Sequence, residues 1–238
     1  MAVESNRPIV PLLLSFNAGY VDTAGFLALQ GLFTAHVTGN FVTLGASLVL
    51  GTSGAIAKLL ALPTFCLMVI FTSLASSALM RRQRLALEPL LALKVVLLIA
   101  GAVCAIRLGP FTNGDAGTAV ATGMIFVAAM AIQNAVHRIH LGSAPPSTLM
   151  TGTTTQIMID IAGLLQGRRL EPADRSRLLK MSINVVVFAA GCAIAALLFA
   201  RIRMWCFVVP PVVGLGATLI RFRDARVVAR QPQAAQHG

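Results

Sequence analysis

The sequence predicts an all-α, polytopic membrane helix bundle, and three observations carry that prediction. The 238 residues are 57% hydrophobic and only 11% charged, with a mean hydropathy of +0.82, whereas a soluble domain is about 45–50% apolar and about 25% charged. The apolar residues gather into long runs, as a spanning helix of about 20 residues requires. The basic residues fall in short clusters between those runs, in the manner of loops retained on the cytoplasmic side: Arg81/Arg82/Arg84, then Arg168/Arg169/Arg175/Arg177/Lys180, then Arg221/Arg223/Arg226/Arg230. Disorder is excluded by the amount of apolar surface. Nucleic acid is set aside despite a net charge of +11, because the basic residues lack a common face interleaved with aromatics; the clusters suit anionic lipid head groups better.

Read between charges, the runs lie near 9–33, 37–54, 57–80, 89–107, 116–137, 148–166, 181–200 and 204–220. The first follows Arg7 and Pro8 like a signal peptide, but Glu4 weakens the basic n-region and the apolar stretch outlasts any cleavage site. It therefore reads as retained. In it Ser15, Gly19 and Thr23 recur at every fourth position, which predicts close packing on a neighbouring helix. The second and sixth runs differ from the rest: both are rich in Gly, Thr and Ser and open on a Thr-Gly pair, Thr38-Gly39 and Thr151-Gly152. His137 and His140, near Pro145-Pro146, read as interfacial, and Pro210-Pro211 as a kink or break in the last helix. Cys66, Cys104, Cys192 and Cys206 lie inside apolar runs without metal-ligand spacing and read as small apolar fillers. Neither a metal nor a cofactor is expected.

Loop charge decides between two topologies. If the second and sixth runs enter and return without crossing, only Lys58, Arg107, Arg201 and Arg203 lie outside. If all eight cross, more basic residues do. The positive-inside rule favours six full crossings plus two re-entrant or broken segments, with both termini cytoplasmic.

The two unusual segments match each other. At a constant offset, Thr38 and Gly39 meet Thr151 and Gly152, and Asn40, Thr43 and Ser47 meet Thr153, Gln156 and Asp160. The polar positions run i, i+3, i+7 and so share one helical face. A weaker echo sets Asn17-Ala18 against Asn134-Ala135. One membrane domain over 1–238 thus reads as two repeats, 1–110 and 111–238. Each has about three full spans plus one broken segment, and three crossings per half make the repeats inverted. Inverted repeats with broken helices recur among transporters, where free helix ends meet substrate or ion.

Ala18-Gly19-Tyr20-Val21-Asp22, Gly25-Phe26 and Phe33-Thr34-Ala35-His36-Val37-Thr38-Gly39-Asn40 resemble the opening of the YoaK-like family of bacterial membrane proteins. Ile132-Gln133-Asn134-Ala135 and Leu149-Met150-Thr151-Gly152 fit the same family. The resemblance covers essentially the whole chain and implies a multi-pass inner-membrane protein with six spans; it implies no substrate or reaction.

Asp22 and Asp160 are the acids inside apolar runs. A central Asp costs about 2.5–3.5 kcal/mol on the insertion scale, and such groups mark ion or proton pathways. They read either as proton or cation carriers or as hydrogen-bonded locks between helices. His36 and Thr38-Gly39-Asn40 open one short helix, with Thr38 as its cap, and Thr151-Gly152-Thr153 open the other. Their free N–H groups suit a polar or anionic group, with capping and close packing as the plain alternative. The candidate substrate-binding set is Asn17, Tyr20, Asp22, His36, Thr38, Gly39, Asn40, Thr43, Asn134, Thr151, Gly152, Thr153, Gln156 and Asp160. No Walker loop, His-Glu-x-x-His or serine or aspartyl protease setting is present, so an enzyme is not expected. The expectation is a secondary carrier of a small polar or anionic solute, proton-coupled through Asp22, with a membrane adaptor or regulator as the alternative. Its expected partners are the bilayer, a solute or proton and no nucleic acid, with a homo-oligomer left open. The site is expected to be a wet chamber between the two Thr-Gly helices.

Overall fold

The computed structural model describes residues 9–82, 85–167, 169 and 171–234, with side chains described only to 224. Arg84 and Arg168 of the basic clusters, and the Glu4, Arg7 and Pro8 of the signal-peptide comparison, lie outside the described residues. So do the side chains of Arg226 and Arg230.

Among the described residues the fold is all-helical. The helices are α1 (Ile9–Ala28), α2 (Gly39–Leu50), α3 (Ala55–Arg81), α4 (Leu87–Leu108), α5 (Gly117–His140), α6 (Met150–Leu165), α7 (Pro172–Ile202) and, after a 3-10 turn (Arg203–Val208), α8 (Val209–Ala234). Four helical stretches are long and apolar enough to cross a membrane: Ala55–Arg81, Leu87–Leu108, Gly117–His140 and Pro172–Asp224, the last taking in α7, the 3-10 turn and the start of α8. Local chemistry sets the ends. α1 stops before Gln30 and Gly31, both in the left-handed region, and α2 stops at left-handed Gly51, whose N–H reaches the Ser47 carbonyl. α7 opens on Pro172, where a missing N–H costs nothing.

Three expectations are corrected here. The first run does not stay helical to residue 33; after Ala28 the chain folds back as a loop. The seventh helix starts at Pro172, ahead of the apolar run, because its charged first turns continue the same helix into water. Pro210 and Pro211 break nothing: they occupy the first turn of α8, where proline is tolerated, and the break falls at Arg203, with φ of 49°.

Side-chain contacts fix the helix directions. Ser15 meets Asn184, Gly19 meets Phe188 and Thr23 meets Cys192, so α1 and α7 run parallel. Thr64 meets Met124 and Ser76 meets His140, so α3 and α5 run parallel. Gly101 faces Phe126 while Lys94 reaches Gln133, so α4 and α5 are antiparallel. Gly109 lies against Met204 and Gly214 against Val95 and Leu98, which sets α8 antiparallel to α4. Gln133 reaches Leu14, while Gly123 faces Leu32, beyond the end of α1; α1 and α5 are therefore antiparallel. α1, α4 and α7 point one way, α3, α5 and α8 the other.

The chain therefore leaves and returns at the same end of the bundle between α1 and α3. Gln30 donates to the Phe111 carbonyl (2.9 Å), Asp115 accepts from the Gly54 and Ile56 N–H groups (2.9 and 2.8 Å), and Gly114 N–H donates to Ser53 (3.0 Å). The 12 residues of α2 rise about 18 Å, short of a hydrocarbon core of about 30 Å. The 16 residues of α6 rise about 24 Å. α1 packs chiefly on α7 and α5 on α3 and α4, while α2 packs on α3 and α6 on α7.

The core is small-residue packing around α1 and α5, with Phe126 stacked on Phe207 at 4.9 Å. The predicted stripe of Ser15, Gly19 and Thr23 lies along α7. A Cβ on Gly19 would come within 2.3 Å of the Phe188 carbonyl oxygen, and one on Gly191 within 2.3 Å of that of Phe16.

Candidate functional site

α1 delivers Asp22 to the bundle interior, 4% exposed, and the loop 29–38 folds back to meet it. One carboxylate oxygen accepts from the N–H groups of Thr34 (2.7 Å) and Ala35 (2.8 Å) and from the Thr34 hydroxyl (3.3 Å). The other pairs with His36 Nδ1 at 2.6 Å. With the carboxylate ionised, Nδ1 carries the hydrogen and donates it. The imidazole is one-third exposed, stands edge-on to Phe188 (centroids 5.5 Å apart) and interacts with the Thr148 backbone.

Asn40 completes this corner. Its carbonyl accepts from the Phe33 N–H (2.9 Å) and its amide donates to the Phe33 carbonyl (2.8 Å), a two-point clamp that turns the chain into α2. Gly39 lies beneath the Phe33 ring, where a Cβ would sit 3.0 Å from it. The His-Val-Thr-Gly-Asn block is thus first a loop lock.

The second half builds a comparable corner from different side chains. The loop 141–149 folds back along α5 and the Thr148 hydroxyl donates to the Asn134 carbonyl oxygen. The Asp22–His36 and Asn134–Thr148 pairs both span 14 residues, and His36 and Thr148 are where the two loops meet. Asn134 thus holds the loop after α5 much as Asp22 holds the loop after α1. Next to it, Gln133 donates to the Leu14 carbonyl (2.8 Å) and the Ser147 hydroxyl (3.2 Å) and accepts from Lys94. Asn184 on α7 holds the Pro146 carbonyl (2.9 Å).

The rest of the predicted set scatters. Thr38 precedes α2 but makes no side-chain cap and is exposed. Thr43 makes one long contact, 3.4 Å to the Asn40 carbonyl. Tyr20 donates to the Cys206 carbonyl (2.8 Å), tying α1 to the 3-10 turn. Asn17 is fully buried with neither amide atom partnered among the described residues. Thr151 and Gly152 are exposed within the first turn of α6, and open space surrounds Gly152. Thr153 turns its hydroxyl back to the Leu149 carbonyl (2.9 Å). Gln156 donates to Asp160 (2.8 Å), whose other oxygen meets the exposed Arg177 at 3.4 Å, so this acid fastens α6 to α7. The polar faces of α2 and α6 are real, with Asn40, Ser47 and Thr153 buried on them. The two helices nevertheless do not touch: no contact joins them among the described residues. Each short helix packs instead on the long helix that follows it, and the loops ahead of them meet.

Sequence reasoning missed four contributors: Lys94, Gln133, Ser147 and Thr148. Lys94 lies inside the fourth apolar run and is 1% exposed, in the third turn of α4. Its signal was available, since an ionisable residue inside an apolar run is a functional candidate by default. Glu88, just ahead of that run, is also buried, at 3% exposure in the first turn of α4.

The fold and this corner define a multi-pass, all-helical membrane protein whose interior polar groups gather where two back-folded loops meet. The chain belongs to the family described as a protein of unknown function (DUF1275), which matches residues 10–220. It is similar to the UPF0700 transmembrane protein YoaK of Bacillus subtilis (strain 168), at 28% identity over 202 residues, covering 83% of this chain and 86% of that one. No solved structure matches the chain.

Proposed function

We propose that the protein is a secondary carrier, without catalytic activity, that moves a small polar or anionic solute across the bacterial inner membrane, with both termini cytoplasmic. The two halves act as inverted repeats, and the Asp22–His36 pair carries the coupling proton. One observation supports this reading above the others. Two loops fold back from helices that run in opposite directions, and their tips meet at His36 and Thr148. Irregular backbone inside a membrane protein is tolerated where it is buried in protein or lines a water-filled path, and carriers place their sites at such a junction of repeats. His36 is the exposed member of the corner and imidazole exchanges protons near neutral pH; Asp22 orients it.

One observation favours a second reading, a membrane adaptor. All the donors around Asp22 are used to hold the loop, which is what a permanent lock needs. Proteoliposomes loaded with a pH-sensitive dye and challenged with mixtures of neutral and anionic metabolites separate the two. The carrier reading expects solute-dependent proton movement that His36→Asn and Asp22→Asn abolish while the protein stays folded. No solute-dependent proton or solute movement in wild-type vesicles would leave the adaptor.

A further inference from the structure

We propose that Lys94 is a proton-binding site of the bundle core, gaining and losing its proton as the inner end of a polar chain that starts at His36. This rests on the carrier reading for its purpose but not for its existence. Lys94 is 1% exposed, in the third turn of α4. Among the described residues its one hydrogen bond is to the Gln133 carbonyl oxygen, and it forms no ion pair. An ammonium in such a place has lost water and found no opposite charge in exchange, an expensive arrangement within a membrane. A neutral amine fits the same place with far less penalty, since it can donate one hydrogen to Gln133.

No counter-ion contacts it among the described residues. The neighbouring elements carry His137, Arg138 and His140 on α5, Arg221, Arg223 and Asp224 on α8, Arg203 and Cys206 in the 3-10 turn, and Lys58, Cys66 and Arg81 on α3. Asp224, the acid among these, lies ten residues, about 15 Å of helix, beyond Gly214, which faces Val95 and Leu98. The acid on α4 itself, Glu88, lies almost two turns earlier and acts on His140. The acid on α1, Asp22, is engaged by Thr34, Ala35 and His36.

The site connects to the loop tips. Gln133 takes the Lys94 hydrogen on its oxygen and gives its own amide hydrogens to Leu14 and Ser147. Ser147 adjoins Thr148, whose backbone meets His36. A proton arriving on Lys94 creates a cation that competes for Gln133 and pulls on the loop 141–149. The ligand is a proton alone, so no cavity is required.

The chain has three lysines, Lys58, Lys94 and Lys180, and carbon-13 labelling at lysine Cε reports each amine's protonation by NMR in nanodiscs. The variant carrying Lys58→Arg and Lys180→Arg leaves Lys94 as the sole signal, which avoids having to remove the buried lysine. The expected result is a Lys94 signal that changes between about pH 5 and 9, whereas a lysine amine in water changes only near about pH 10. Gln133→Glu supplies a counter-charge and is expected to hold Lys94 as ammonium throughout the lower range. A Lys94 signal that stays ammonium-like to about pH 10 in the native sequence overturns the proposal. So does a Gln133→Glu variant that leaves a shifted titration unmoved. A titrating Lys94 in a protein that moves no solute keeps the proton site and removes the carrier; solute flux with a permanently charged Lys94 does the reverse.

Discussion

Placing a methyl group at Gly191 tests the contact on which the relation of the two halves depends. α1 and α7 cross backbone to backbone: a Cβ at Gly191 would lie 2.3 Å from the Phe16 carbonyl oxygen, and one at Gly19 would lie 2.3 Å from that of Phe188. Ordinary carbon–oxygen contact begins at about 3.3 Å, so each methyl must push the helices apart by about 1 Å. Both obstacles are helix backbone, which cannot swing aside as a side chain does. Overpacking of this kind costs about 1–3 kcal/mol, and the gain in helix propensity from Gly to Ala, about 1 kcal/mol, offsets only part of it. Gly152→Ala serves as the control, because nothing lies within 4 Å of the added methyl. In reversible unfolding in mixed micelles, Gly191→Ala and Gly19→Ala should lose stability while Gly152→Ala is neutral or gains. Gly19→Ala should also loosen His36, whose ring leans on Phe188. If Gly191→Ala and Gly152→Ala behave alike, the α1–α7 crossing is not as tight as described and the helix directions read from it fail.

Asp22→Ala removes the acceptor for two backbone N–H groups. Hydrogen exchange at Thr34 and Ala35 should accelerate at least tenfold, since bonds to a charged acceptor are worth about 1.5–3 kcal/mol; unchanged exchange would show that the loop does not depend on this acid. Cysteines placed at Gln30 and Thr52 should label from one side of the membrane and a cysteine at Arg81 from the other. Opposite sidedness of Gln30 and Thr52 would mean that α2 crosses. Asp160→Asn breaks the partly exposed pair with Arg177 and should cost at most about 1 kcal/mol, with any transport retained. Loss of transport there would restore Asp160 to the site.

The bilayer is what made the fold legible. Long helices must be apolar over about 20 residues, so the crossings stood out, and α2 and α6 stood out by being Gly- and Thr-rich. Loop charge favoured two non-crossing segments, and Gln30 beside the loop from Phe111 to Asp115 gives that arrangement a geometric form. The site was legible only in part. Asp22 and His36 were found because a buried acid and a histidine are conspicuous. Thr148 and Asn134 form a similar loop contact from neutral side chains, which a search for buried charge does not single out. Helical periodicity describes α2 and α6 correctly but says nothing of a loop that turns back, and it was the loops that met. Lys94 is a single basic residue in an apolar run, and a reading centred on acids and on the Gly- and Thr-rich segments passes over it.

The interior polar groups divide by whether they have partners, and that division bears on motion. Asn40, Gln133 and Asp22 are well supplied and hold one conformation. Asn17 is not: it is fully buried on α1, with Gly214 of α8 across from it, and neither end of its amide has a partner among the described residues. An unpaired buried amide costs about 1–3 kcal/mol, which the conformation described here bears without return. A group of this kind is retained at no loss if a second conformation, with α8 shifted along α1, gives it a partner. Asn17→Leu should therefore stabilise the described conformation by about 1 kcal/mol or more in micelle unfolding, while slowing any solute exchange in vesicles. If Asn17→Leu instead destabilises the fold, the amide is already satisfied in this state and the case for a second conformation through α8 falls.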